Sequence, residues 1–138
     1  MKNKIQVGDR ASIKKAFNEN EVLQYAKLSE DTNPIHFDAD YAKNTIFKNR
    51  IVHGMLVGSL FGGLLGSKLP GRGTIHLGQT LNFKKPVYVG EEVTAIIEVI
   101  KIRSDKPIIT FRTLCLKNNN EISIEGTAVV KVDSKIIN

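Results

Sequence analysis

The sequence predicts an α+β fold in which an antiparallel sheet wraps around one long, buried helix. The first observation is the uncharged run at residues 51–67, IVHGMLVGSLFGGLLGS, whose large apolar side chains would lie on nearly all sides of a helix. The second is a series of strand-like segments after it, separated by short polar turns. A helix that is apolar nearly all round is a buried one, and one helix against an antiparallel sheet is an α+β arrangement.

The elements before the buried helix are short. Residues 10–17 are predicted as a strand, and residues 21–30 (EVLQYAKLSE) as a helix. Asn18 and Glu21 have the spacing of a capping box, in which each side chain bonds the other residue's backbone N–H. Residues 39–45 are predicted as a second, short helix.

The predicted central helix carries a ridge of glycines. Gly54, Gly58, Gly62 and Gly66 recur every four residues and therefore share one face. Each interior glycine costs about 1 kcal/mol of helix stability relative to alanine. We therefore expect close approach of a sheet, another helix or a ligand chain along this ridge.

Four strands are predicted after the helix. Their composition is β-branched and partly alternating, which is typical of half-buried strands. The last three are joined by hairpin-sized, turn-rich breaks, so they should form an antiparallel meander. A single sheet of this size has exposed edges, and we expect a homodimer, formed by edge pairing or helix contact. The predicted strands are residues 74–84, 92–103, 107–117 and 121–132.

The composition indicates a single globular domain over residues 1–138, with 41% apolar and 25% charged residues. The net charge of +6 is spread along the chain and there is no Trp, so we expect no nucleic-acid partner. The uncharged run is at the lower limit of a membrane span and contains five glycines, so we expect no membrane partner. Cys115 is alone, which excludes an internal disulfide, and the absence of a secretory signal favours the cytoplasm.

Asp31-Thr32-Asn33-Pro34-Ile35-His36 is the most informative segment for function. Pro34 pushes Asn33 toward extended torsions, so the helix should stop near Asp31 and the chain should turn before His36. Such a loop can direct a carboxylate and an imidazole at one small molecule, such as a water. His titrates near neutral pH and is the usual choice for general acid-base chemistry.

Two segments, YAKLSEDTNPIHFDADYA and RIVHGMLVGSLFGGLLG, resemble the R-specific enoyl-CoA hydratases of the MaoC-like hot-dog group. The later stretch LPGRGTIHLGQTLNFKKPVYVGEEVTA resembles the short, single-domain members that feed polyhydroxyalkanoate synthesis. The resemblance implies a hot-dog dimer and reversible hydration of a trans-2-enoyl-CoA to an (R)-3-hydroxyacyl-CoA. It implies no metal and no organic cofactor beyond the CoA of the substrate.

The resemblance also assigns site residues. Asp31 and His36 would be the catalytic pair, and the backbone N–H of Gly54, at the start of the buried helix, would stabilise the oxyanion. Many short-chain members carry a serine at the position that aligns with Gly62. Glycine here lowers the pocket wall, which affects substrate range more than reaction type.

The remaining site predictions concern the substrate. Gly62 and His53 are expected to line the substrate pocket, with His53 also packing at the helix start. Arg50 would pair with a carboxylate or reach a CoA phosphate. Lys84 and Lys85, near the end of a strand, are possible phosphate contacts.

Two other functions stay open at this point. A hot-dog thioesterase would hydrolyse the CoA ester, but such enzymes use a carboxylate on the central helix, and residues 51–68 contain no Asp or Glu. A non-catalytic acyl-CoA-binding protein would not require the Asp31–His36 pair, since a buried carboxylate and imidazole both cost desolvation.

Overall fold

The computed structural model describes residues 4–137 of the protein. The predicted elements before the central helix are present, within two residues at most boundaries. The helices are α1 (Glu19–Ser29), α2 (Ala39–Lys43) and α3 (Gly54–Ser67), with short 3₁₀ turns at Pro34–His36 and Ser134–Ile136. The strands are β1 (Arg10–Ala16), β2 (Ile75–Gln79), β3 (Asn82–Phe83), β4 (Glu92–Ile102), β5 (Ile108–Lys117) and β6 (Ile122–Lys131).

One antiparallel sheet forms the larger layer of the fold, with the strand order β1-β4-β5-β6-β2. Its centre is the predicted meander of β4, β5 and β6, in which Ile97 pairs with Thr113 and Phe111 with Ala128. The short strand β3 pairs with β6 beyond the end of β2. Strand β2 is an edge of the sheet, because β6 is the strand it pairs with in the described part of the chain.

The prediction of one continuous strand over residues 74–84 is wrong. The segment is broken after Gln79, and Thr80 passes directly over Gly126 of β6. A Cβ on Gly126 would lie 1.9 Å from the carbonyl oxygen of Thr80, so the two backbones meet where no side chain fits. The Thr80 N–H donates to the carbonyl of Thr127 at 2.8 Å, which fixes this crossing.

Helix α3 packs against the concave face of the sheet. Val57, Phe61, Leu64 and Leu65 are buried, together with inward-facing side chains of β4, β5 and β6. The opposite side of the helix is less covered than the sequence suggested, since Met55, Ser59, Gly63 and Gly66 are exposed. A single sheet covers only one side of a helix, and the other side of α3 is therefore open in one chain.

The glycine ridge divides into two parts. Cβ atoms added at Gly54 and Gly58 would lie 2.7 Å from Phe83 and 3.3 Å from Leu81, so the β3 region approaches the first two turns closely. Cβ atoms at Gly62 and Gly66 would meet nothing within 4 Å. The expected close contact is therefore present only along the first half of α3.

Local details of the chain agree with several predictions. The Asn18–Glu21 capping box is complete, with both hydrogen bonds formed. Cys115 is in the core, and burial raises the pKa of its thiol to about 12, so it is unsuited to act as a nucleophile. Between residues 4 and 137, no helix is long and apolar enough to cross a membrane.

Candidate active site

The loop between α1 and α2 is built by local hydrogen bonds. Helix α1 ends at Glu30, which takes the left-handed conformation with φ of 64°. Asn33 is extended, with φ −55° and ψ 126°, as expected of a residue before proline. Its Oδ1 accepts from the N–H of Ile35 at 3.2 Å and so starts the 3₁₀ turn that carries His36. The predicted turn before His36 is confirmed.

Asp31 lies exposed at the start of this loop, and its backbone is anchored on both sides. Its N–H donates to the hydroxyl of Ser29 at 3.2 Å, and its carbonyl oxygen accepts from Nε2 of His53 at 3.0 Å. The carboxylate Oδ1 accepts from the N–H of Asn33 at 3.2 Å. The other carboxylate oxygen is free to bind a ligand, since no hydrogen bond engages it in the described part of the chain.

His36 is 7% exposed and is oriented by one strong hydrogen bond. Nδ1 lies 2.7 Å from the carbonyl oxygen of Ile51. Because a carbonyl only accepts, Nδ1 carries the hydrogen, and the neutral ring presents a lone pair at Nε2. Burial lowers the pKa of His36 below its ordinary value, and repulsion from His53 acts in the same direction. The bond to Ile51 and the charge of Asp31 oppose the shift.

The structure brings the Asp31 carboxylate and the His36 imidazole together. Ligand atoms of Asp31, His36 and His53 all lie within 4.8 Å of one another. No direct hydrogen bond links Asp31 to His36 within residues 4–137. Two hydrogen bonds of ordinary length that share one water span about 4.5 Å. The gap between the two side chains therefore has the size for a bridging water.

His53 is a third member of this cluster. Its ring stacks on that of His36 with centroids 3.7 Å apart, and its centroid lies 4.8 Å from that of the Tyr25 ring in a T-shaped contact. It is 2% exposed, and its expected role in lining the substrate pocket stays a prediction. Its ring turns inward beneath the Asp31 loop because Nε2 bonds the Asp31 carbonyl. Sequence reasoning missed this contact, since the two residues are 22 positions apart.

The cluster of Asp31, His36 and His53 has the composition of a carboxylate–histidine metal site, but its geometry does not suit one. The two imidazole planes are 24° apart and stacked. Lone pairs lie in the ring plane, so those of the two rings run side by side instead of meeting at one point. A metal about 2.0–2.1 Å from a nitrogen of each ring would lie well outside the ring planes.

Gly54 opens α3 immediately after His53, and no side chain caps this N-terminus. The first N–H groups of a helix lack intrahelical partners and carry the positive end of the helix dipole. Gly54 also lines a mainly apolar cleft of about 230 Å³, together with Phe83, Lys84 and Lys85. Of the three predicted catalytic positions, Gly54 lines this cleft, whereas Asp31 and His36 do not.

The predicted phosphate contacts differ in their surroundings. Arg50 forms an ion pair with Glu19, which agrees with the carboxylate alternative. Lys84 and Lys85 lie 3.7 Å from Glu125 and Glu121 in exposed pairs, which contribute little stability. Both lysines remain at the wall of the Gly54 cleft. Gly62 is outside that cleft, with open space beside it, and its role in the pocket stays a prediction.

Comparison with known proteins gives one consistent result. The MaoC like domain family matches residues 2–119. The chain is 51% identical to the (R)-specific enoyl-CoA hydratase of Aeromonas caviae over 93% of its length and 96% of that protein. It is 43% identical to the (R)-specific enoyl-CoA hydratase of Rhodospirillum rubrum, over 95% and 90% of the two chains.

Among solved structures, the (R)-hydratase from A. caviae involved in PHA biosynthesis superimposes with a TM-score of 0.92. The sequence identity is 50%, and the alignment covers 94% of this chain and 98% of that one. The predicted fold class, an antiparallel sheet around a central helix in the hot-dog arrangement, is thereby confirmed.

Proposed function

The chain belongs to the MaoC-like domain family, and from this membership and the spacing of Asp31 and His36 we propose that it is an (R)-specific enoyl-CoA hydratase. It adds water reversibly to a trans-2-enoyl-CoA and forms an (R)-3-hydroxyacyl-CoA. The observation that carries the proposal is the carboxylate–imidazole gap of at most 4.8 Å, next to the uncapped N-terminus of α3. A product of this kind suits polyhydroxyalkanoate synthesis, the setting named for the A. caviae hydratase.

In the proposed mechanism the water lies between Asp31 and His36. Asp31 accepts one hydrogen bond from the water, and Nε2 of His36 takes the other proton as the water oxygen bonds to C3. The π electrons of the C2–C3 bond move toward C2 and the thioester oxygen. His36 then delivers a proton to C2, so that one water is added overall. The buried, neutral state of His36 supports its role as the base.

The charge that develops on the thioester oxygen needs a donor. The N–H of Gly54 supports this role because it opens α3 without a cap and borders the cleft. Loss of one such donor in other enzymes costs about 2.7–4 kcal/mol of the activation barrier. No step of this mechanism requires a metal or an organic cofactor besides the CoA of the substrate.

We further propose that Lys84 and Lys85 contact the phosphates of CoA. Both lie at the wall of the cleft that contains Gly54, and their exposed ion pairs are weak enough to be exchanged for a phosphate. Arg50 is the weaker candidate because Glu19 already pairs with it. The pocket-lining role of Gly62 is proposed with them, on the open space beside it.

We also propose that the working unit is a homodimer. The cleft of about 230 Å³ is below the range of about 300–1,000 Å³ usual for ligand pockets, so one chain offers a partial site. Ile75 and Leu77 are 58% and 52% exposed on the edge strand β2, and the outer side of α3 is open. A second copy that pairs along β2 would cover these surfaces. Leu77→Lys should lower the molar mass measured by light scattering toward that of the monomer.

The decisive experiment is a chain-length series of trans-2-enoyl-CoA substrates with chiral analysis of the product. Loss of the enoyl absorbance with an (R)-3-hydroxyacyl-CoA product is the expected result. An (S) product, release of free CoA thiol, or tight binding without turnover would contradict the proposal. The last two outcomes would indicate a thioesterase and a binding protein, respectively.

A further inference from the structure

His53 contacts both members of the proposed catalytic pair, through different parts of one ring. Its Nε2 lies 3.0 Å from the carbonyl oxygen of Asp31, and its face stacks on His36 at 3.7 Å. Because the Asp31 carbonyl only accepts, the Nε2 of His53 carries a hydrogen. His53 is therefore a physical link between two residues that have no direct hydrogen bond to each other in the described chain.

Packing alone gives no reason for an imidazole at this position. His53 is 2% exposed, and its Nδ1 is buried without a hydrogen-bond partner within residues 4–137. An apolar ring of similar size would fill the same space without a buried, unpaired Nδ1. The contact that an apolar ring would lose is the hydrogen bond from Nε2 to Asp31.

Asp31 needs such an anchor because of where it lies. It follows a left-handed residue at the end of α1 and is exposed to solvent, so its side chain has few packing contacts. His53, in contrast, is buried at the start of α3 and rests against Tyr25 and His36. A hydrogen bond from this fixed ring transmits the rigidity of α3 to the Asp31 backbone.

We infer that His53 is a positioning residue, which holds the Asp31 backbone at the correct distance from His36 through the hydrogen bond from Nε2. The inference rests on the proposed hydratase function and deepens it. In this role His53 acts through the backbone of Asp31 and not on the reacting atoms. Its effect is on the geometry of the pair, and a displacement of about 1 Å at a reacting group costs on the order of 10²-fold in rate.

The test uses two substitutions that separate hydrogen bonding from ring packing. His53→Gln keeps an N–H donor near the position of Nε2, whereas His53→Phe keeps an aromatic ring against His36 and has no donor. We expect His53→Phe to lower kcat by on the order of 10²-fold with a much smaller change in KM, and His53→Gln to recover a large part of that loss. Asp40→Asn, at an exposed carboxylate of α2, is the control.

The outcomes separate this inference from the proposed function. If the wild type hydrates no enoyl-CoA, the function itself is wrong. If the wild type is active and His53→Phe has the same kcat, or His53→Gln is no better than His53→Phe, the positioning role is wrong and the function stands. Circular dichroism gives the folded fraction of each variant. Equal specific activity of all variants per folded molecule would also overturn the positioning role.

A measurement on the wild-type protein covers the case in which His53→Phe does not fold. The chain has three histidines, so ¹⁵N NMR of the ring nitrogens resolves each of them, with His76→Gln for assignment. We expect His53 to carry its hydrogen on Nε2 and His36 on Nδ1. A neutral His53 with the hydrogen on Nδ1 could not donate to Asp31, and that result would overturn the inference.

Discussion

The imidazole of His36 donates its Nδ1 hydrogen to the carbonyl oxygen of Ile51, 2.7 Å away. Ile51 in turn donates its N–H to the carbonyl of Ile35 at 3.3 Å, so the loop and the segment that leads into α3 are joined twice. This arrangement fixes the tautomer of the ring and leaves the lone pair of Nε2 free. The ring is also buried, which lowers the pKa of His36 and favours its neutral form.

The first prediction concerns the pH dependence of hydration. Histidine acts as a general base only in its neutral form, so its contribution is lost as the pH falls through its pKa. Burial lowers the pKa of His36 below the ordinary 6.5, and therefore kcat/KM should still exceed half of its maximum at pH 6.5 and reach half only at a lower pH. The measurement is a kcat/KM profile with crotonyl-CoA.

The control for this profile is recovery of full activity after a return to neutral pH, with circular dichroism at each pH to exclude unfolding. A profile already reduced by half at pH 6.5 or above would contradict the proposed state of His36.

The second prediction concerns the catalytic pair. Asp31→Asn and His36→Ala should each lower kcat/KM by about 10²–10⁴-fold, the usual contribution of a positioned acid or base. Asp40→Asn is the matched control, because Asp40 is exposed and lies outside the cluster. Thermal unfolding of all three variants tests folding. Near-normal rates in both Asp31→Asn and His36→Ala would rule out this mechanism.

The sequence predicts those parts of the candidate site whose residues are close together along the chain. Asp31 and His36 are five positions apart, and Pro34 constrains the backbone between them, so their proximity follows from torsions and turn chemistry. The contacts of His53 with both residues depend on how α3 packs against the loop. No spacing rule relates residues 22 positions apart, and an imidazole before a glycine-rich helix carries no signal of its own.

The fold, too, has features that follow from local sequence and features that depend on long-range contacts. Alternation and turn residues locate the β4–β6 meander, because each strand pairs with its neighbour in sequence. The break between β2 and β3 depends on the crossing of Thr80 over Gly126, which are 46 positions apart. The alternating pattern of residues 74–84 continues through that break and therefore predicts one strand. The open side of α3 has a similar cause, because an apolar helix surface predicts burial but does not say whether the same chain or another copy covers it.

The third prediction tests the crossing of Thr80 over Gly126. Gly126→Ala places a Cβ 1.9 Å from the Thr80 carbonyl oxygen, and a backbone atom cannot move aside as a flexible side chain can. We expect the free energy of unfolding to fall by about 1–3 kcal/mol or more, measured by urea denaturation. Gly78→Ala on the neighbouring strand is the control, because its Cβ meets nothing within 4 Å. Equal stability of the two variants would contradict the crossing.

The fourth prediction concerns the open space beside Gly62. Gly62→Ser adds a hydroxymethyl group where nothing lies within 4 Å, so the fold should be retained. If this space receives the acyl chain, the variant should lose activity on long enoyl-CoA substrates while it retains activity on crotonyl-CoA. The ratio of kcat/KM between long and short substrates is the measurement. An unchanged ratio would place the acyl chain elsewhere.

The last prediction concerns the approach of Phe83 to Gly54. A Cβ at position 54 would lie 2.7 Å from Cε1 of Phe83, so Gly54→Ala must displace this half-exposed ring. Both residues line the cleft, and the displaced ring would narrow it. The substitution keeps the backbone N–H, so loss of activity would reflect the ring and not a missing donor.

We therefore expect Gly54→Ala to lower kcat/KM for crotonyl-CoA, and Gly54→Ala combined with Phe83→Ala to recover activity relative to Gly54→Ala alone. Contacting residues are non-additive in this way when one substitution removes the clash that the other creates. Gly58→Ala is the control on the same helix face, since its Cβ would meet the end of Leu81 at 3.3 Å, a milder contact. A double variant no better than Gly54→Ala would mean that the new methyl group itself, and not the displaced ring of Phe83, lowers the activity.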